Sequence, residues 1–325
     1  MTVNAVKTQT RGQLKEKNHR LFNLGGTAYT YISMALIVCV FSFILVVVFR
    51  YGFGVLSWHF LTSEPNPSAL DAASGGILTP IIGTFLLTII GIVLAFPFAL
   101  ATAIYLCFYT KKGLFRTLVK GAVDILSGVP TIVIAMFALV IFTLPQLGFL
   151  STMIEGVEGA SRAYGRSFLV AGITMGIMIL PFVIKSMEEA LKAVPGSYID
   201  GSLALGATKW QTIYKVVLNA ARDGLVTGVI LGMGRIIGDT AIVWLALGGS
   251  IRMTGNQPWF APENWISTLR NSGCTLTSYI YYTSPAGEGN QFDVAFGASL
   301  VLIAIIILLN LMASLLGKAG VKKHG

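Results

Sequence analysis

The sequence predicts an all-α integral membrane protein with six transmembrane helices, and three observations lead there. Hydrophobic residues make up 54% of the chain and charged residues 11%, with a mean hydropathy of +0.76, which excludes a soluble fold. Six segments are apolar over about 20 residues, the length that crosses a bilayer as a helix. Lysine and arginine are distributed unevenly: 17 of the 23 lie in one set of connections and tails, and 5 in the alternate set. This asymmetry accounts for the net charge of +9 in terms of a membrane, without nucleic acid.

Residues 1–27 carry Lys7, Arg11, Lys15, Lys17 and Arg20, with no apolar core or small-residue cleavage site. They read as a basic cytosolic tail, not a cleaved signal peptide. Residues 28–79 hold the first span, 28–48, and a turn-rich outer loop from Tyr51 to Thr79. The transmembrane domain, 80–317, contains spans at 80–109, 123–144, 167–185, 224–247 and 294–316. Pro97, Pro130 and Pro181 fall inside three of these, and the carbonyls they free predict bends or cavities. Residues 318–325 form a second basic tail. The basic side of the membrane is the cytosolic one, so both termini and the insert at 188–222 are expected in the cytosol.

That insert is polar and basic between two apolar segments. Small residues (Gly201, Ser202, Ala204, Gly206, Ala207) alternate there with apolar ones (Leu203, Leu205, Trp210, Ile213, Val216), as expected of two short helices hinged at Gly206. On the outer side, Trp259, Phe260 and Trp265 read either as anchors in the headgroup layer or as a contact surface for an extracytoplasmic protein.

Arg235 lies about eleven residues into the fifth span, roughly 16 Å along it, near the bilayer centre. Asp239 follows four residues later, on the same face of a continuous helix. Two readings stand: a neutralised structural pair, or an arginine that attracts an anion while Asp239 tunes its charge. Lys185 and Glu188, three residues apart at the inner end of the fourth span, form a second candidate constellation, beside the plainer reading of a lysine snorkelling to the interface. Ser127 and Thr131, four apart at the start of the third span, offer hydroxyls to a path or to a neighbouring helix. Asp124 sits near the cytosolic interface, in reach of a helix cap.

Several chemistries are absent from the sequence. There is no G-x-x-x-x-G-K-[ST] phosphate loop, so any ATP hydrolysis belongs to another chain. His19, His59 and His324 lie outside the spans, so no catalytic and no metal-binding residue is expected. Cys39, Cys107 and Cys274 read as packing residues.

Two stretches resemble known families. D-G-S-L-A-L-G-A-T-K-W from Asp200 to Trp210, with V-V-L-N from Val216 to Asn219, resembles the EAA loop by which ABC-importer permeases dock on their ATPase. Asp200, Gly201 and Ser202 replace the family's Glu-Ala-Ala, Gly206 matches its glycine, and Asn219 stands where it has proline. The resemblance implies ATPase coupling through Asp200, Gly201, Ser202, Leu205, Gly206, Ala207, Lys209 and Trp210. G-V-I-L-G-M-G-R-I-I-G-D-T-A at 228–241 resembles the fifth-helix motif of the phosphate-importer (Pst) permeases, with Asp239 in place of their glutamate. S-G-V-P-T at 127–131 resembles their Gly-Val-Pro-Ser stretch, and S-G-G-I-L-T-P-I-I-G-T at 74–84 looks most like the PstA-type subunit.

This resemblance implies a type-I ABC-importer (MetI-like) bundle in the bacterial inner membrane, with the translocation path along Arg235, Asp239, Lys185, Glu188, Ser127 and Thr131. It implies an ABC ATPase dimer carrying ATP and Mg, a PstC-like second permease and an extracytoplasmic phosphate-binding protein as partners. This chain would be a transport subunit and not an enzyme, with no bound cofactor of its own. A carboxylate beside the arginine suits phosphate, which still carries a proton at neutral pH and can donate it to a hydrogen bond; sulfate cannot. The alternatives are a permease for another oxyanion (molybdate, sulfate, phosphonate) and a passive channel or membrane scaffold.

Overall fold

A computed structural model describes residues 2–66, 75–110, 113–155, 161–287 and 289–319. Lys111, Lys112, part of the outer loop (67–74) and the end of the second tail (320–325) lie outside them. The chain divides into two units, 1–51 and 52–325.

The first unit is essentially one helix, α1 (Thr2–Gly52). From Tyr29 to Tyr51 most of its large apolar side chains are exposed, with Leu45, Val47 and Val48 as exceptions, the pattern of a helix largely solvated by lipid.

The second unit is built on α3 (Leu78–Ile104) and α6 (Phe168–Lys192), after a short α2 (Trp58–Thr62). Small residues let α3 and α6 approach closely. Ala95, Ala99 and Ala103 of α3 are fully buried, and a Cβ at Gly176 of α6 would sit 3.4 Å from the Gly91 carbonyl oxygen. Met175, Ile179, Val183 and Met187 of α6 fill the space between the helices. A one-turn π segment, Tyr105–Tyr109, extends α3. Pro97 and Pro181 are both accommodated inside continuous helices, and neighbouring residues of the two helices, among them Phe98 and Leu180, line an apolar cavity of about 270 Å³, one of the two outcomes expected at these prolines.

The third proline does break its helix. The segment expected as one span at 123–144 is two helices, α4 (Leu114–Gly128) and α5 (Thr131–Phe142), bent by 100°. Gly128 is a weak helix former, and Pro130 excludes Val129 from the helical region, leaving it at φ −73°, ψ 127°. The expected span at 224–247 is also interrupted. Helix α10 (Arg222–Ile237) stops at Gly238, and the chain resumes as a π turn, Val243–Leu247, that ends on Gly248 at φ +105°. Before α10, the insert forms α7 (Gly196–Ala204), α8 (Lys209–Thr212), a π turn and α9 (Leu218–Ala220), and the 209–220 stretch meets α10 at 70°.

Between α5 and α6, a hairpin of β1 (Met153–Glu155) and β2 (Ser161–Ala163) pairs Ile154 with Arg162. The stretch expected to be turn-rich also holds two short helices, α11 (Trp265–Arg270) and α12 (Leu276–Thr283). A second apolar cluster (Phe60, Ile77, Leu276, Tyr279, Val294, Ala298) joins α2 and α12 to the last helix, α13 (Phe292–Ala319). Among the described residues, four helices are long and apolar enough to cross a membrane, and up to six spans result when each bent pair counts as one. The expected six-span, helical architecture is therefore present, with two of its spans broken.

Candidate functional site

The break between α4 and α5 gathers the polar residues of the membrane region. Ser127 lies one residue before Gly128, with its hydroxyl donating to the Asp124 carbonyl at 2.7 Å. Thr131 is the first residue of α5, a helix that begins without a side-chain cap. Helices α6 and α10 each bring one cation to this turn. Lys185 of α6 pairs with Asp124 at 2.7 Å and donates to the Ser127 hydroxyl at 3.3 Å. From α10, Arg235 donates through Nη2 to the Thr131 hydroxyl at 3.3 Å. Two cations thus bracket the Gly128–Val129–Pro130 corner, one on each side.

Their electrostatic settings differ. The charge of Lys185 is matched by a carboxylate. Around Arg235, no carboxylate oxygen of the described residues lies within 4.0 Å, and its contacts are the Thr131 hydroxyl and the ring of Phe182, 5.3 Å from Cζ to ring centre. Arg235 and Lys185 are both exposed in this chain taken alone. A guanidinium without a bound carboxylate keeps N–H donors in a planar fork that matches an oxyanion.

Two sequence expectations are corrected here. Asp239 does not continue the face of the helix that carries Arg235, because α10 ends at Ile237 and the backbone turns at Gly238. The Asp239 carboxylate instead accepts the Ile242 N–H at 2.8 Å, capping the turn that follows, while its carbonyl accepts the Thr277 hydroxyl at 3.3 Å. No oxygen of this carboxylate lies within 4.0 Å of the Arg235 guanidinium, so Asp239 acts on Arg235 only through the longer-range Coulomb field. Lys185 and Glu188 likewise make no ion pair with each other. Lys185 reaches Asp124 and Ser127, whereas Glu188, 8% exposed, accepts Lys120 of α4 at 3.0 Å and Lys192 at 2.7 Å. Glu188 therefore ties α4 to α6, away from the corner.

Phe182 was not singled out in the sequence, where it is one apolar letter in L-P-F-V-I-K. Its spacing of three residues before Lys185, on one helical face, was the available signal.

The insert forms a second, separate surface. Gly206 takes φ +83°, the left-handed region, and separates α7 from α8 as the expected hinge. Thr208 begins α8 with a capping box to Gln211. The Ser202 and Thr212 hydroxyls bond across the turn at 3.0 Å, which holds the two helices together. Asp200, Gly201, Lys209 and Trp210 are exposed, Ser202 and Ala207 are half-buried, and Leu205, next to the hinge, is 91% exposed. Trp210 stacks on Tyr214, both exposed, and Lys209 lies over the Tyr109 ring at 4.7 Å, which joins the insert to the end of α3. Packing within the chain leaves this apolar knob uncovered.

In the stretch expected on the outer side, Trp259, Phe260 and Trp265 line an apolar cavity of about 370 Å³ together with Ile82 and Leu86 of α3. Their indole N–H groups are occupied by the Glu64 carboxylate and the Phe260 carbonyl.

Comparison with known proteins agrees with this architecture. Residues 95–323 match the family model described as "Binding-protein-dependent transport system inner membrane component". The chain is 28% identical over 298 residues to "Phosphate transport system permease protein PstA 1" of Mycobacterium tuberculosis, covering 91% of this chain and 88% of that one. It is 31% identical over 244 residues to "Probable phosphate transport system permease protein PstC" of Methanocaldococcus jannaschii, covering 73% of each. A solved chain from a bacterial alginate ABC transporter, in complex with an alginate pentasaccharide-bound periplasmic protein, shares the fold with a TM-score of 0.55 at 16% identity, over 87% of this chain and 92% of that one. Spans, broken helices and matched sequence together place the chain: it belongs to the family of binding-protein-dependent transport system inner membrane components.

Proposed function

We propose that this chain is a transmembrane permease subunit of an ATP-driven inorganic phosphate importer, of the PstA type. The observation that carries the reading is the corner between α4 and α5. Two cations from different helices reach it, and Arg235 arrives with no carboxylate oxygen of the described residues within ion-pair distance. A bare guanidinium in a membrane span is costly unless a path or a partner stabilises it, and a passing oxyanion is such a partner. Relatives named as phosphate permeases at 28% and 31% identity supply the substrate class.

In this reading Arg235, Thr131, Ser127 and Lys185 line the path, and Asp239 shapes it by fixing the chain after α10. Glu188 holds α4 on α6 so that the corner keeps its form. The knob of Leu205, Trp210 and Tyr214 docks on the ATPase dimer, which carries ATP and Mg. A second, PstC-like permease closes the path from the other side, and an extracytoplasmic phosphate-binding protein delivers the anion. Both termini and the insert face the cytosol, following the lysine and arginine bias.

The reading is tested by phosphate uptake into proteoliposomes that hold the whole assembled complex, with and without ATP. Wild type is expected to take up phosphate with ATP, and Arg235→Gln to assemble yet fail to transport. Normal transport by the mutant would make the arginine structural. Uptake of another oxyanion in place of phosphate would keep the permease role and reassign the substrate.

A further inference from the structure

Arg235 must be held in place, yet most ways of holding an arginine cancel what an anion would use. A carboxylate partner would orient the guanidinium but neutralise it and repel an incoming oxyanion. The structure holds Arg235 with two neutral groups, the Thr131 hydroxyl at 3.3 Å and the face of the Phe182 ring at 5.3 Å. The ring attracts the cation through its quadrupole and contributes no negative charge and no lone pair in the plane of the fork. The N–H donors not engaged by Thr131 stay available.

The location of Phe182 fits this task better than packing does. Helix α6 is the most enclosed of the long helices, with Pro181, Val183 and Ile184 on either side buried, whereas Phe182 is 42% exposed. Lys185, one turn further along, is also exposed, and holds the other side of the same corner through Asp124 and Ser127. One face of α6 thus presents an aromatic ring to the first cation and carries the second.

We infer that Phe182 is a positioning residue for Arg235: its ring fixes the guanidinium at the α4–α5 corner while leaving its charge free for the transported anion. The inference rests on the reading of Arg235 as part of an anion path. It implies that position 182 requires a π face, and not merely an apolar volume.

The test uses the assembled complex in proteoliposomes with saturating loaded binding protein, and reads maximal phosphate uptake and phosphate moved per ATP hydrolysed. Phe182→Leu keeps an apolar side chain and removes the ring; Phe182→Met serves where the leucine complex does not assemble. Either is expected to lower maximal uptake about two- to fivefold, the worth of an exposed cation–π contact. ATP hydrolysis should persist, so phosphate moved per ATP falls with uptake. Phe182→Tyr and Phe182→Trp should stay within about twofold of wild type. In an Arg235→Lys background, Phe182→Leu should cost less than it does alone, because the two residues act as one unit. Wild-type transport by the leucine variant overturns the inference, as does an equal loss in the leucine, tyrosine and tryptophan variants, which would mark a packing role. Normal transport by Arg235→Gln in the same assay instead removes the anion-path reading itself, so the two failures are distinguishable.

Discussion

At the scale of single residues, the same charge type does different work according to where the backbone sends it. Asp124 neutralises Lys185, Glu188 clamps two lysines from α4 and α6, and Asp239 is spent on a backbone N–H. The spacing of Arg235 and Asp239 is that of an ion pair on one helix, but the helix ends between them. The role of Asp239 as a cap makes a prediction that separates geometry from charge. Asp239→Asn, which keeps the acceptor and loses the charge, should retain most transport activity and thermal stability. Asp239→Ala should lose about 1 kcal/mol, the ordinary value of such a cap. Thermal unfolding of both purified variants checks this. Equal destabilisation by asparagine and alanine would show that the charge, and not the cap, is what matters.

Elements of this fold are defined as much by where they break as by where they run. Pro97 and Pro181 sit in helices that continue, yet Gly128–Val129–Pro130 turns the chain by 100°, because a glycine and an excluded pre-proline residue weaken the same turn. Gly206 is a break of another kind. Its φ of +83° lies in the left-handed region, and a Cβ there would meet nothing within 4 Å. Gly206→Ala therefore isolates backbone strain, of about 1–2 kcal/mol, from any clash. The expected outcome is an intact transmembrane core with a shifted α7–α8 angle, seen as ATP hydrolysis that responds less to loaded binding protein. A variant with unchanged stimulation would show that the hinge angle is not used in coupling.

Across the whole molecule, the large apolar surface divides into what lipid covers and what proteins cover. The knob around Leu205, Trp210 and Tyr214 belongs to an insert whose sequence is polar and basic overall, where lipid is not the expected neighbour. Leu205, at 91% exposure, makes little contribution to this chain's own core. Leu205→Asp should therefore leave expression and thermal stability within about 0.5 kcal/mol of wild type, as surface changes usually do. The same substitution should abolish co-purification of the ATPase. Retention of the ATPase at wild-type stoichiometry would move the docking surface elsewhere.

By itself the sequence determined the membrane class, the six spans and the polar insert with its hinge at Gly206, and it singled out Arg235 as a candidate, because hydropathy, charge bias and glycine preference act locally along the chain. Resemblance to known motifs added the permease family. Tertiary structure alone decided which polar groups meet. Thr131 and Arg235 are 104 residues apart, and Ser127 and Lys185 are 58 apart. Their meeting depends on a helix break, whose angle is set by the packing of α4 and α5 on α6. Phe182 carries only the weak signal of its spacing before Lys185 for the same reason: an apolar residue in an apolar helix gains its meaning when a cation from another helix lies above its ring.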